Sequence, residues 1–104
     1  MIFIESPIFT EDLQELLSDE SYGEFQEYLA LHPTAGDVIR GTNGLRKVRW
    51  TASGRGKSGG VRVIYYHVTL AQQIRLILIY RKGIKDDLSA SEKKILSEIN
   101  KEWQ

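Results

Sequence analysis

Lys47 and Arg49 stand two residues apart in the run LRKVRW, Arg62 follows a glycine-rich loop in GGVRVIYY, and Arg81, Lys82 and Lys85 follow the apolar run LILIY. Lysine and arginine in this number suit one task above others, the holding of phosphate. The ammonium acts as a point charge and the guanidinium as a planar fork for two oxygens. On a strand, residues two apart share a face, so the Lys47 and Arg49 heads lie about 7 Å apart along it. Neighbouring strands lie roughly 5 Å apart, close enough for Arg62 and the cations after the third strand to gather at one edge of the sheet. Tyr66 and Tyr80 interleave with these cations, and aromatic faces stack unpaired bases. Arg55 and Lys57 in the loop add cations that can reach phosphate. The competing reading is a solvated strand face. The absence of any acid among these cations tips the balance toward a nucleic-acid site.

The chain has 104 residues and a formal net charge of zero, but the charges are segregated. Residues 1–37 hold nine acids and no base, residues 40–85 eleven bases and no acid, and residues 86–104 five acids and three bases. A basic block of this kind repels itself unless an anionic partner or the acidic segment offsets it.

Other chemistries are excluded or weak. There is no cysteine, which removes disulfides, thiolate metal sites and thiol nucleophiles. No His/Asp/Glu group has metal-ligand spacing, so no metal or cofactor is expected. His32 beside Pro33 suits a helix end, and His67 on a strand suits a structural role. Gly54, Gly56 and Gly59 match a dinucleotide fingerprint in letters, and Gly56-Lys57-Ser58 resembles the end of a P-loop. Both motifs need a helix directly after the loop, and here a strand follows. No apolar run is long enough to cross a bilayer, and MIFIESPIF lacks the features of a signal peptide, so the cytoplasm is the expected compartment and no membrane partner is expected.

The elements that must position these residues follow from periodicity. IFIE reads as a strand closed by Ser6-Pro7. Thr10 is placed as the N-cap of a helix with Leu13, Leu16 and Leu17 on one face. A second helix starts at Ser21 with a Glu24 capping box, or already near Ser18. It presents Tyr22, Phe25, Tyr28 and Leu29 on one face and ends at Pro33. Residues 33–44 read as a connection. The period then changes to two over residues 45–51, 61–68 and 74–80, with Val48 and Trp50 opposite Lys47, Arg49 and Thr51. Ser89-x-x-Glu92 is a capping box for a last helix whose Ile95, Leu96, Ile99 and Trp103 form one face. The order β-α-α-β-β-β-α predicts a single α+β domain over residues 1–104, with helices on a small twisted antiparallel sheet.

The runs GDVIRGTNGLRKVRW, GKSGGVRVIYY and IYRKGIKDDLSASEKKIL together resemble the RelE/HigB superfamily of toxins from bacterial type II toxin–antitoxin systems, its HigB-like branch most closely. The resemblance covers nearly the whole chain. It implies a RelE-like fold and a ribosome-dependent mRNA endonuclease that stops translation. It also implies a cognate antitoxin, expected to be of the helix-turn-helix type, through which alone promoter DNA is reached. On the family pattern, Lys47, Arg49, Arg62 and Lys82 fall on catalytic positions, with Arg81 the alternative to Lys82. From the basic and aromatic residues themselves, Arg46, Arg55, Lys57, Tyr66, Tyr80, Arg81 and Lys85 are the expected RNA-binding set. Some members carry a C-terminal tyrosine or histidine in the site where this chain has Leu88. That leaves Asp86, Asp87 and Tyr80 as candidate general bases, with Lys47 either a further base or, as preferred, an electrostatic clamp. Such an enzyme needs no metal, because RNA carries its own nucleophile, the 2′-OH. Within the same superfamily a ParE-like branch poisons DNA gyrase. Outside that chemistry, a basic RNA-binding module with no catalysis is the alternative.

Overall fold

The computed structural model describes residues 1–51, 60–83 and 88–103. Its elements are β1 (Ile2–Glu5), α1 (Pro7–Leu16), α2 (Asp19–Leu31), β2 (Asp37–Val38), β3 (Arg46–Trp50), β4 (Val61–Val68), β5 (Gln73–Arg81) and α3 (Ala90–Glu102). The five strands form one sheet in the order β1-β5-β4-β3-β2. The α+β class and element order match the sequence expectation, with two changes to the sheet. β1 runs parallel to β5, so the sheet is mixed. The connection after α2 contributes the short β2, antiparallel to β3.

Each helix starts where a hydroxyl can accept from the free first-turn N–H groups. Ser6, not Thr10, caps α1, accepting from Phe9 N at 3.1 Å, with Pro7 at the first helical position. Thr10 is one turn inside the helix, its hydroxyl bonded to the Glu5 carboxylate at 2.5 Å. Ser18 caps α2, the earlier of the two starts considered, and His32 follows the last turn. Ser89 and Glu92 form the predicted capping box of α3.

The sheet has two unequal faces. On one, α1 and α2 cover Val48, Val61, Val63, Tyr65, Ile74, Leu76 and Ile79 with Phe9, Phe25 and Leu29. On the other, Leu96 of α3 and Leu88 just before it cover Leu45, Ile64 and Ile77, with Trp103 at the margin. Burying each such side chain contributes about 1.5–3 kcal/mol. The apolar stripe of α3 differs from the expected one. Leu96, Asn100 and Trp103 turn inward, whereas Ile95 and Ile99 are 56% and 44% exposed.

A bulge in β5 sets the register near its end. Tyr65 pairs with Leu76 and Ile64 with Leu78, which leaves Ile77 as an extra residue. An inserted residue inverts the alternation beyond it. Ile79 therefore joins the helix-covered core with Leu76, and Tyr80 turns to the opposite face. The bulge is tied to the N-terminus, with Ser6 Oγ donating to Ile77 O at 2.8 Å and Ser6 N to Leu76 O at 2.9 Å.

Candidate active site

On the sheet face that α3 partly covers, one end carries the cations. Arg49 pairs with Arg62 across β3 and β4, and Arg62 pairs with Tyr80 across β4 and β5. Three neighbouring strands thus set two guanidinium groups and a phenol in one row, with Cα atoms of adjacent members about 5 Å apart. Lys47 lies one same-face step away, in the row of Ile64 and Leu78. Lys82 lies one step the other way, its N–H bonded to Gly60 O at 3.1 Å in continuation of the β4–β5 ladder. The structure brings Lys47, Arg49, Arg62, Lys82 and Tyr80 to one end of one face.

Local chemistry explains the arrangement. β3 alternates strictly, so Val48 and Trp50 enter the core. Trp50 meets the Phe25 ring edge-on at 5.3 Å and donates its indole N–H to Ser21. Lys47 and Arg49 must then face the other way. At the start of β4, Gly60 has φ +64°, and a Cβ there would collide with the Trp50 carbonyl. Only glycine lets the chain enter β4 so closely against β3, and this fixes the register that sets Arg62 opposite Arg49. Arg49 and Lys82 are exposed, and Arg62, Lys47 and Tyr80 are half-buried. The two guanidinium groups opposed across β3 and β4 suit a bound anion.

Several sequence-assigned residues stand elsewhere. Arg46 lies on the helix-covered side, where its guanidinium donates to Thr34 O at 2.9 Å and Gly36 O at 3.5 Å, tying β3 to the α2–β2 connection. Alternation places it with Val48 and Trp50, away from Lys47. Arg81 pairs with Val61, a core residue of the helix-covered face, so the backbone separates it from Lys82. Tyr66 shares the face of Arg62 but lies four residues along β4. There it pairs with Arg75, whose guanidinium sits 5.8 Å from its ring centre and 5.6 Å from that of Trp103. Arg75 also donates to Asn100 O and Oδ1, both at 3.0 Å, fastening the C-terminus of α3 to the sheet. Arg55, Lys57, Lys85, Asp86 and Asp87, with the glycine motifs of the loop, lie outside the described residues. Leu88 is buried in the core under α3.

Arg40 and Lys93 are not among the residues expected from the sequence at this end of the sheet. Together with Asp37, Leu88 and Lys47 they line a depression of about 230 Å³ beside the cationic row. Arg40 belongs to the acid-free block, which was its only signal. Lys93 carried none, because the rotation of α3 was not legible. Among the described residues no group of three or more histidines and carboxylates is placed as metal ligands would be. Among them, too, no helix is long and apolar enough to cross a membrane.

No family model matches the chain. Among solved structures it is similar to a double arginine-to-alanine mutant of the Escherichia coli toxin RelE in the free state, with a TM-score of 0.59 over 95% of each chain at 13% identity. At that identity the likeness establishes the fold, which is RelE-like.

Proposed function

We propose that this chain is the toxin of a type II toxin–antitoxin pair, an endoribonuclease that cuts mRNA on the ribosome. The observation that carries the reading is the row Arg49–Arg62–Tyr80 with Lys47 and Lys82 at its flanks, on a RelE-like sheet. The arrangement offers cations from three strands to one phosphate and an aromatic ring to a neighbouring base.

The chemistry follows from RNA itself. The 2′-oxygen loses its proton and attacks the adjacent phosphorus. The P–O5′ bond breaks, and the departing oxygen takes a proton. Products are a 2′,3′-cyclic phosphate and a 5′-OH, with no metal needed. Arg62, half-buried at the centre of the row, holds two non-bridging oxygens as charge builds in the phosphorane, with Arg49 across from it. Lys47 clamps the substrate electrostatically. Lys82 holds the flanking phosphate or assists the leaving oxygen. The Tyr80 hydroxyl is buried, so Tyr80 shapes the row, and Asp86 and Asp87 are the candidates for taking the 2′-OH proton. A helix-turn-helix antitoxin is the expected neutralising partner, and the cytoplasm, where ribosomes translate, is the site of action.

Purified protein, ribosomes and a defined mRNA test this. Cleavage is expected with ribosomes, with cyclic-phosphate ends, and is lost when the ribose at the cut carries 2′-H. Arg62→Ala is expected to lower the rate about 10²–10³-fold while ribosome binding persists. Hydrolytic 3′-OH ends would defeat the 2′-OH mechanism. A wild type that leaves mRNA intact but blocks gyrase supercoiling would transfer the chain to the gyrase-poison class.

A further inference from the structure

Three depressions lie end to end along one flank of α3. The first, about 230 Å³, contains Lys47, Arg40 and Lys93. The second, about 540 Å³, shares Arg40 and Lys93 with it and adds Lys94 and Lys101. The third, about 390 Å³, shares Asn43, Ser97 and Lys101 with the second and ends at Tyr66, Arg75 and Trp103. Shared walls make them one trough. It starts at Lys47, one step along the sheet from the Arg49–Arg62 row, and follows the 13-residue α3, about 20 Å of helix.

The charges on α3 are sorted with respect to this trough. All three of its lysines line it, whereas of Glu92, Glu98 and Glu102 only Glu98 does. Positions 90, 93/94, 97 and 101 form the helical stripe next to the one that carries Leu96, Asn100 and Trp103 into the core. The opposite wall is the β2–β3 turn, joined to α3 by Asn43 Nδ2 donating to Ser97 Oγ at 3.3 Å. Among the described residues two carboxylates, Asp37 and Glu98, stand against the cations of Arg40, Lys93, Lys94 and Lys101. The balance favours an anionic occupant, and a succession of adjoining depressions walled by cations fits a single polyanionic strand.

We infer that this trough carries the continuation of the RNA strand whose phosphate lies at the Arg49–Arg62 row, its backbone tracked by Arg40, Lys93, Lys94 and Lys101. The inference rests on the reading of the row as an RNA site and extends that site by a few nucleotides. It gives α3 a substrate-holding role beyond covering the core.

The test is equilibrium binding of a trinucleotide and of a single-stranded 12-mer RNA, across a salt series, to wild type and to the triple variant Lys93→Glu, Lys94→Glu, Lys101→Glu. Lys94 and Lys101 are exposed and Lys93 is half-buried, and a thermal melt checks folding. Arg40→Glu, on the other wall, serves as an independent second variant. The triple variant is expected to bind the 12-mer about tenfold or more weakly at 0.1 M salt and the trinucleotide unchanged. The slope of log K against log salt should fall by about 2, as expected when three phosphate contacts on a single strand are lost. Arg40→Glu should weaken the 12-mer in the same selective way. Equal losses for both RNAs, or no loss for the 12-mer, would overturn the trough. Weakened co-sedimentation with ribosomes at unchanged 12-mer affinity would overturn it too, by assigning these lysines to ribosome docking. The endonuclease reading is separable: a wild type that cuts no mRNA but shows the selective 12-mer loss refutes the enzyme and keeps the trough.

Discussion

Arg46 and Arg49 lie on one five-residue strand, yet they do different work, because alternation sends them to opposite faces. Arg46→Ala removes the bonds to Thr34 O and Gly36 O. It should cost about 1 kcal/mol of stability, read as a shifted urea midpoint, with the cleavage rate of folded protein unchanged. Arg49→Ala should do the reverse, lowering cleavage while leaving stability within about 0.5 kcal/mol of wild type, because its side chain is exposed. Tyr65 supplies a residue-scale pH signature. Its hydroxyl donates to Ala35 O at 2.6 Å, and burial, partly offset by the charge of Arg46, pushes its pKa up to about 12. Burial and the neighbouring Glu5 carboxylate raise Tyr22 as well. The folded state holds neutral phenol, whereas an unfolded tyrosine ionises near pH 10. This contribution is therefore complete below about pH 10 and is lost as pH climbs toward about 12, where folded Tyr65 itself ionises. Denaturation midpoints measured from pH 8 to 11.5 should fall along the upper half of that range. The fall should be shallower in Tyr65→Phe, with Tyr22 supplying the remainder.

At the scale of elements, the β5 bulge decides whether Tyr80 faces the site. Without the extra Ile77, Tyr80 would fall in phase with Ile74 and Leu76 under α1 and α2. Ser6 secures the bulge while capping α1, so one hydroxyl serves two elements 71 residues apart. Ser6→Ala should cost about 2 kcal/mol or more, because it removes a cap and also leaves the buried Ile77 carbonyl without its donor. Ser89→Ala, a cap with no such second bond, should cost about 1 kcal/mol. Chemical denaturation of the two variants side by side checks the difference. A Ser6→Ala cost no larger than that of Ser89→Ala would show that the bulge holds without its tether. α3 is fastened at its far end by Arg75, which bonds Asn100 and lies between the Tyr66 and Trp103 rings.

For the whole molecule, the sheet is a partition between charges. The nine acids of residues 1–37 lie mostly on α1 and α2, on one side, and the cationic row opens on the other. A net charge of zero thus conceals a dipolar surface, which attracts polyanions from one direction. RNA association should slow steeply between 50 and 300 mM salt, by more than tenfold, as exposed charges are screened over about 8–10 Å. Stopped-flow binding of a labelled RNA measures this, and a rate independent of salt would remove the electrostatic account.

The amino-acid sequence by itself determined what short-range physics controls. The Ser89-x-x-Glu92 pattern marked the start of α3, the Ser21–Glu24 pattern fell one turn inside α2, and strict alternation in residues 46–50 placed Lys47 and Arg49 together. β-branched and apolar runs marked the long strands. Tertiary structure alone decided what depends on contacts distant in sequence. The parallel pairing of β1 with β5 joins residues some 71 apart. The two-residue β2 exists only because β3 offers it an edge. The phase of Tyr80 turns on one unpaired residue whose carbonyl is satisfied from the other end of the chain. The rotation of α3, which exposes Ile95 and Ile99 and aligns its lysines along a trough, is set by the seat of Asn100 on Arg75 and not by its own apolar spacing. A local pattern fixes which residues share a face. Only the assembled sheet fixes which faces meet.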